Sequence, residues 1–184
     1  MDNRKSLDVI FHPQSLAVVG AFQERPLGWP GMFGCIRDNG YAGRLYPINP
    51  RASHVEGLKA YPDLVSVPEP VDLVVISVPA PAVPAALLDC AASGNRNVHI
   101  FTAGFNETGE KEGIELHRQI EEIARKNGLN VIGPNCMGVY VPSERLATWV
   151  RPPKESGPVA FISQSGGHAQ DFTGYASRLG IFFS

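Results

Sequence analysis

Serine and glycine residues with the spacing of an anion site follow one of the later apolar runs. After residues 158–162, the sequence reads Ser163-Gln-Ser-Gly-Gly167 and then becomes helical. A strand that ends in Ser and Gly and leads into a helix presents free N–H groups and hydroxyls to an anion. The segment therefore predicts a phosphate site that consists of Ser163, Ser165, Gly166 and Gly167. Alternatively, Ser165 is only a helix N-cap, a position that serine favours without any ligand.

A cationic residue follows the second apolar run, within Asn49-Pro50-Arg51. An NAD site would need an acidic residue here to hold the ribose 2′-hydroxyl. Arginine instead suits a ribose that carries a phosphate, as in CoA and NADP. The turn after the first run, 20–28, begins and ends with glycine but lacks the G-x-G-x-x-G spacing, which weighs against an NAD site. The alternative interpretation is that Arg51 is a solvated turn residue.

The cysteines and histidines match no metal or nucleophile pattern. Three cysteines, Cys35, Cys90 and Cys136, are widely spaced and form no Cys-x-x-Cys pair, so we predict free thiols and no metal site. Cys136 has no basic neighbour in sequence to activate it, so we interpret it as a packed thiol and not as a nucleophile. We interpret four histidines without catalytic spacing as surface residues: His12, His54, His99 and His117.

Short runs rich in Val and Ile alternate with helical stretches, the pattern of a parallel α/β fold. We predict strands at residues 16–20, 44–49, 72–78, 97–103 and 129–132, and helices at 32–39, 83–92 and 110–127. Pro47 favours an edge strand or a bulge for the second of these strands. Together they predict one doubly wound, mainly parallel, Rossmann-like domain over residues 1–150, with right-handed crossovers.

The pattern restarts after a stretch without clear period, 139–156, where we expect a linker with a short hairpin. A strand at 158–162, a helix at 168–179 and a final apolar segment at 181–183 make one βα unit. Such a unit cannot bury its own faces. Residues 151–184, a linker and this first βα unit, are therefore expected either to pack on the first domain or to belong to a second, truncated α/β domain.

Composition excludes several classes of protein. The 184 residues are 43% hydrophobic and 18% charged, with a formal net charge of −2, which argues against bulk attraction to nucleic acid. No apolar run approaches the roughly 20 residues that span a bilayer, and the N-terminus has no long apolar segment typical of a signal peptide. We therefore expect a cytoplasmic protein without a membrane partner.

The strand ends, in their order along the chain, resemble the CoA-binding half of the NDP-forming acyl-CoA synthetases. That superfamily includes the succinyl-CoA synthetase α subunit and ADP-forming acetate–CoA ligase. The resemblance rests on residues 18–20, 48–50, 76–81, 102–105, 107–109, 132–136, 138 and 157–167. The most specific are Gly133-Pro-Asn-Cys136 and Ser163-Gln-Ser-Gly-Gly167, each after its strand.

The resemblance implies a CoA-binding Rossmann-like domain followed by a flavodoxin-like ligase domain. It also implies an ATP-grasp domain, in the same or another chain, which would bring the NDP or NTP with Mg²⁺, and an oligomer is possible. The family reaction converts acyl-CoA, NDP and phosphate to acid, CoA and NTP through an acyl phosphate and a phosphohistidine. The implied CoA-binding residues are Gly20, Ala21, Phe22, Asn49, Pro50, Arg51, Val78, Pro79, Ala80, Gly104, Phe105, Asn135 and Cys136. The implied phosphate site is the Ser163–Gly167 turn.

The chain departs from this pattern at two places. Phe22 stands where the family usually has a small hydroxyl residue. His168 does not align with the family's phosphohistidine, which lies further along, so we assign no catalytic residue and expect the chain to be inactive alone. Two other functions stay open: a CoA- or acyl-CoA-binding regulatory module, and part of a protein acyltransferase. An NADP-dependent oxidoreductase fits the sheet but lacks a Tyr-x-x-x-Lys pair.

Overall fold

The computed structural model describes residues 3–22 and 28–184; the middle of the predicted 20–28 turn lies outside these residues. The helices are α1 (Asn3–Phe11), α2 (Gly31–Asn39), α3 (Val83–Ala92), α4 (Lys111–Asn127) and α5 (Gly166–Arg178). The strands are β1 (Ser15–Val19), β2 (Arg44–Ile48), β3 (His54–Val55), β4 (Leu58–Lys59), β5 (Leu73–Ile76), β6 (Asn97–Ile100), β7 (Asn130–Ile132), β8 (Tyr140–Val141), β9 (Leu146–Ala147) and β10 (Ser156–Val159).

The central sheet has five strands in the order β2-β1-β5-β6-β7, and every neighbouring pair is parallel. This confirms the predicted Rossmann-like sheet. It also confirms that the strand containing Pro47 lies at an edge, where the missing N–H of proline is tolerated. The chain adds β2 on one side of β1 and then crosses to add β5 on the other side. The carboxyl ends of β1 and β5 therefore form the topological switch point.

Both faces of the sheet are covered by helices. Side chains of β5 alternate between two apolar clusters: Leu73 and Val75 pack with α2, whereas Val74 and Ile76 pack with α3 and α4. All four side chains are buried. This two-sided burial explains why β5 reads as a continuous run of branched residues instead of alternating with polar ones.

The 139–156 stretch contains the expected hairpin, formed by β8 and β9. It is held against the end of α2 by the buried Asn39, whose Nδ2 donates to the carbonyl oxygens of Ala147 (3.1 Å) and Trp149 (2.9 Å). The sequence did not predict α1 or the small β3–β4 hairpin. The β3–β4 hairpin has only two residues in each strand, and α1 lies before the first recognisable apolar run.

The last βα unit is shifted from its predicted bounds. Its strand occupies Ser156–Val159 and bridges to Phe183, whereas the expected strand continued to residue 162. Its helix begins at Gly166, two residues earlier than expected, because Ser165 caps it. Apolar side chains on this unit remain exposed, and Ile162 is 98% exposed.

His99 is fully buried in β6, so its interpretation as a surface residue was wrong. Its position inside a Val- and Ile-rich run could have indicated that it is buried. Its Nε2–H donates to the carbonyl oxygen of Cys136 at 2.8 Å. Burial lowers the pKa of His99 to about 4, although this hydrogen bond acts in the opposite direction.

Acidification should therefore destabilise the fold through His99. An unfolded chain protonates this imidazole below its ordinary pKa of 6.5, whereas the folded protein resists protonation until about pH 4. The resulting stability is present above pH 6.5 and is lost as pH falls below it, by about 2 kcal/mol between pH 7 and pH 5. Urea unfolding at both pH values would measure the loss, and His99→Gln, which does not titrate, is the control. Equal losses in the two proteins would contradict the assignment.

Gly20 allows the first strand loop to approach the end of β5. Its φ is +92°, and a Cβ at this position would overlap the carbonyl oxygen of Ser77. Hydrogen bonds fix the approach, since Gly20 N–H donates to Ile48 O (3.1 Å) and Ser77 N–H donates to Val19 O (2.9 Å). The close approach of the two strand ends at the switch point therefore requires glycine at position 20.

Gly20→Ala should lower the free energy of unfolding by more than about 4 kcal/mol, because strain at positive φ adds to a backbone overlap. Gly109→Ala is the matched control, since Gly109 also has positive φ (+72°) but has nothing within 4 Å of an added Cβ. We expect this control to lose only about 1–2 kcal/mol. Denaturant unfolding of both variants would separate overlap from strain, and equal losses would show that the close approach is unimportant.

Candidate functional site

The strand ends predicted to carry the site lie together at the carboxyl edge of the sheet, around the β1/β5 switch point. Asn49 joins two of them: its Nδ2 donates to Ala21 O (2.9 Å), and its Oδ1 accepts from the Arg51 N–H (2.8 Å). The Asn49 side chain therefore connects the loop after β1 to the loop after β2. Pro50 and Arg51 are exposed, and the Arg51 guanidinium has no ion-pair partner among residues 3–22 and 28–184.

The segments after β5 and β6 are also joined to each other. The Thr102 hydroxyl donates to the Val78 carbonyl at 2.6 Å. A Cβ on Gly104 would lie 3.2 Å from the Cβ of Ala80, which begins a short 3₁₀ helix after Pro79. These contacts leave a surface of small residues and backbone at the centre of the edge, over which an elongated ligand can lie.

Glu107 occupies the N–H groups of the loop after β6. Its carboxylate accepts from Gly104 N (2.7 Å) and Phe105 N (3.2 Å). Desolvation raises the pKa of Glu107, but hydrogen bonds from backbone N–H groups, including its own, and the charge of His117 outweigh this effect, so the net pKa lies below its usual range. The Phe105 side chain is fully buried. Gly104 and Phe105 can therefore shape the site, but their N–H groups are already bonded to an anion.

The loop after β7 runs alongside residue 101. Asn135 N–H donates to Thr102 O (2.9 Å), and Cys136 N–H donates to Ile100 O (3.4 Å), after a cis peptide bond between Gly133 and Pro134. Cys136 is half-buried, and its Sγ accepts from Gly138 N–H at 3.4 Å. The loop thus places Asn135 and the Cys136 thiol at the same edge as the other predicted residues.

The Ser163–Gly167 turn is partly satisfied by its own side chains. Ser165 Oγ accepts from His168 N–H (3.3 Å), which confirms the N-cap role. Ser163 Oγ donates to Ser165 O (2.9 Å) and accepts from Ser165 N–H (3.2 Å). The N–H groups of Gly166 and Gly167 begin α5 and have no acceptor within the helix, so they are its available anion donors.

The start of α5 touches the loop that carries Cys136. A Cβ on Gly166 would lie 2.7 Å from the Cβ of Met137, the residue after Cys136. Only glycine allows this approach without displacing Met137. The predicted anion turn and the predicted thiol loop, which are about 30 residues apart in sequence, are therefore in contact.

A row of three aromatic side chains was not predicted as a unit. Phe22 and Trp29 come from the loop between β1 and α2, and Phe101 follows β6. Ring centroids are 5.7 Å apart for Phe22 and Trp29 and 6.4 Å apart for Trp29 and Phe101. A Cβ on Gly31 would lie 2.8 Å from the Phe22 ring, so glycine also makes room here. Little in the sequence indicates this row, because its three residues come from two separate loops that only the folded sheet brings together.

Other features lie away from this edge or do not form a site. A cavity of about 280 Å³ lies between residues 149–153 and α5, and its lining includes Arg151, Asp171 and Arg178. Within residues 3–22 and 28–184, no cluster of three His, Cys, Asp or Glu side chains is placed to hold a metal ion. None of the described helices is long and apolar enough to cross a membrane.

Curated relatives of this chain are ADP-forming acetate–CoA ligases. ADP-forming acetate–CoA ligase II of Archaeoglobus fulgidus is 38% identical over 161 residues, which is 85% of this chain and 24% of that protein. The α subunit of ADP-forming acetate–CoA ligase II of Pyrococcus furiosus is 42% identical over 162 residues, 87% of this chain and 35% of the subunit. The chain thus spans about a quarter to a third of these relatives.

A solved structure of an acetyl-coenzyme A synthetase is also similar to this chain. The apo form of dinucleotide-forming acetyl-coenzyme A synthetase 1 from Ca. Korarchaeum cryptofilum superposes with a TM-score of 0.85 and 38% identity, covering 97% of this chain and 38% of that one. The sequence model of the family described as "CoA binding domain" matches residues 14–142, which include the central sheet and its carboxyl edge. This chain belongs to the CoA binding domain family.

Proposed function

We propose that the chain is the CoA-binding portion of an NDP-forming acyl-CoA synthetase, an acid–thiol ligase that converts acyl-CoA, NDP and phosphate to acid, CoA and NTP. One observation carries this proposal: the anion turn at Gly166 lies against Met137, beside Cys136. A CoA-binding regulatory module would need a place for CoA, but it would not need a phosphate site beside the thiol end.

The chemistry explains why this contact matters. A phosphate oxygen attacks the thioester carbonyl, the carbon–sulfur bond breaks, and the CoA thiolate leaves an acyl phosphate behind. The phosphate and the thioester must be held in contact for this step. The N–H groups of Gly166 and Gly167 would hold the phosphate, while Asn135 and Cys136 would flank the sulfur.

The rest of CoA would follow the carboxyl edge of the sheet. The turn formed by Gly20, Ala21 and Phe22 and the segment formed by Val78, Pro79 and Ala80 would line its path. Asn49 and Pro50 would present Arg51 to the 3′-phosphate of the ribose. Gly104 and Phe105 would contribute shape alone, since Glu107 holds their N–H groups.

We place the remaining parts of the reaction outside the described chain. The nucleotide and its Mg²⁺ would bind to an ATP-grasp domain or subunit, and the complete enzyme would act in the cytoplasm. Residues 151–184 would be the linker and first βα unit of the second domain. Exposed apolar side chains on that unit support this division, among them Phe161, Ile162, Phe172 and Leu179.

Arg51→Ala should weaken CoA binding by about 10- to 100-fold, the effect of losing a charge-assisted hydrogen bond to phosphate. It should leave the affinity for 3′-dephospho-CoA unchanged, because that ligand lacks the group that Arg51 would contact. Isothermal titration calorimetry with both ligands measures the difference.

The matched control is Arg125→Ala, since Arg125 is an exposed cation in the last turn of α4, at the opposite edge of the sheet. It should bind both ligands as the unchanged chain does. Equal weakening of both ligands by Arg51→Ala would remove Arg51 from the 3′-phosphate site, and failure of CoA to bind at millimolar concentration would refute the proposed function.

Inorganic phosphate should shift the backbone amide NMR signals of Gly166 and Gly167 because their N–H groups are free to donate at the start of α5. Met137 should respond too, since it touches Gly166. Titration with sodium chloride at equal ionic strength controls for salt. Shifts confined to the Arg151 and Arg178 cavity would place the anion elsewhere.

A further inference from the structure

We propose that Trp29 and Phe101 form the wall that contacts the acyl group, and that they favour a neutral aromatic acyl group over acetyl. This inference rests on the proposed function, because it needs the CoA thiol to lie near Cys136. It adds the substrate class and two residues that determine it.

The first support is the position of the aromatic row. Phe22 and Trp29 follow β1, and Phe101 follows β6, so the row crosses the end of β5, which lies between them in the sheet. Neighbouring strands are about 4.8 Å apart, so the row spans about 10 Å of the carboxyl edge. It therefore lies along the carboxyl edge and extends from the first turn to the loop after β6.

The second support is the connection of Phe101 to the thiol loop. Its two neighbours in sequence accept hydrogen bonds from that loop: Ile100 O from Cys136 N–H (3.4 Å) and Thr102 O from Asn135 N–H (2.9 Å). Phe101 is thus held directly beside the backbone of Asn135 and Cys136. A thioester sulfur near Cys136 would place its acyl group within reach of the Phe101 ring.

The third support is the exposure of Trp29. Its side chain is 39% exposed, while its ring stays in contact with Phe22 and tilted by 31° to Phe101. An indole held by two rings but open to solvent offers a preformed apolar surface to a ligand. Aromatic groups gain from offset or edge contacts with such rings in addition to apolar burial. The single methyl group of acetyl would cover little of this surface.

Charge favours a neutral acyl group. The segments that follow β5, β6 and β7, residues 77–82, 101–110 and 133–144, contain no Lys or Arg. Glu107 adds a negative charge to the same edge. Beside Phe101, a second carboxylate on the acyl group would have no cation from these segments, and burying it unpaired would be costly. The β1–α2 loop that carries Trp29 contains one cation, Arg25, which lies outside the described residues. A neutral ring meets no such penalty.

The test compares the binding of CoA, acetyl-CoA and phenylacetyl-CoA by isothermal titration calorimetry. We expect phenylacetyl-CoA to bind about 10-fold more tightly than acetyl-CoA. Trp29→Leu should abolish that preference while leaving CoA affinity within 2-fold, and Trp29→Phe should keep most of it. Tyr175→Phe provides a matched aromatic control, because Tyr175 is 62% exposed on α5 and outside the row.

The outcomes separate the two proposals. If CoA does not bind, the proposed function fails. If CoA binds but phenylacetyl-CoA has no advantage over acetyl-CoA, or Trp29→Leu weakens all three ligands equally, the acyl assignment is overturned while CoA binding stands. Phe101→Leu gives a second variant, which should also reduce the preference for phenylacetyl-CoA, and circular dichroism checks that each variant is folded.

Discussion

The carboxyl edge depends on how closely β1 and β5 approach each other at Gly20. A side chain there would overlap Ser77 O, and positive φ at Gly20 turns the chain away from the sheet directly after β1. The hydrogen bonds from Gly20 to β2 and from Ser77 to β1 complete the junction. The sheet order reverses at this point, and ligands of such sheets bind where it reverses. The junction between β1 and β5 therefore belongs both to the core and to the expected binding edge.

The polar side chains of this edge mostly hold the loops to one another. Asn49, Thr102 and Glu107 each bond to backbone groups of a neighbouring loop or of their own turn. This internal bonding joins the loops and occupies these polar side chains. Among residues 3–22 and 28–184, the groups at this edge without such a partner are the exposed Arg51 guanidinium, the aromatic row and the first N–H groups of α5. These three features would recognise a phosphate, an apolar group and a second anion, respectively.

Sequence periodicity predicted the sheet well because both of its faces are buried. The run at 72–78 lies in a strand that is buried on both faces, so it does not alternate, and Pro47 favoured an edge or a bulge, of which the edge is observed. His99 was misread although it lies inside a Val- and Ile-rich run, because a buried imidazole needs a polar partner, and its partner, the Cys136 carbonyl, is distant in sequence. The aromatic row was missed for the same reason. Its rings come from two loops, and only the sheet order brings them together.

The contact between Gly166 and Met137 joins the complete sheet to the short βα unit. Such a contact demands a small residue at the first turn of α5, where glycine is otherwise unfavourable for a helix. Helix stability alone would therefore select another residue at position 166. The requirement for close approach to the Cys136 loop accounts for glycine instead. If the chain is divided as we propose, the domain boundary and the meeting point of thiol and phosphate are the same place, so neither unit could hold both groups by itself.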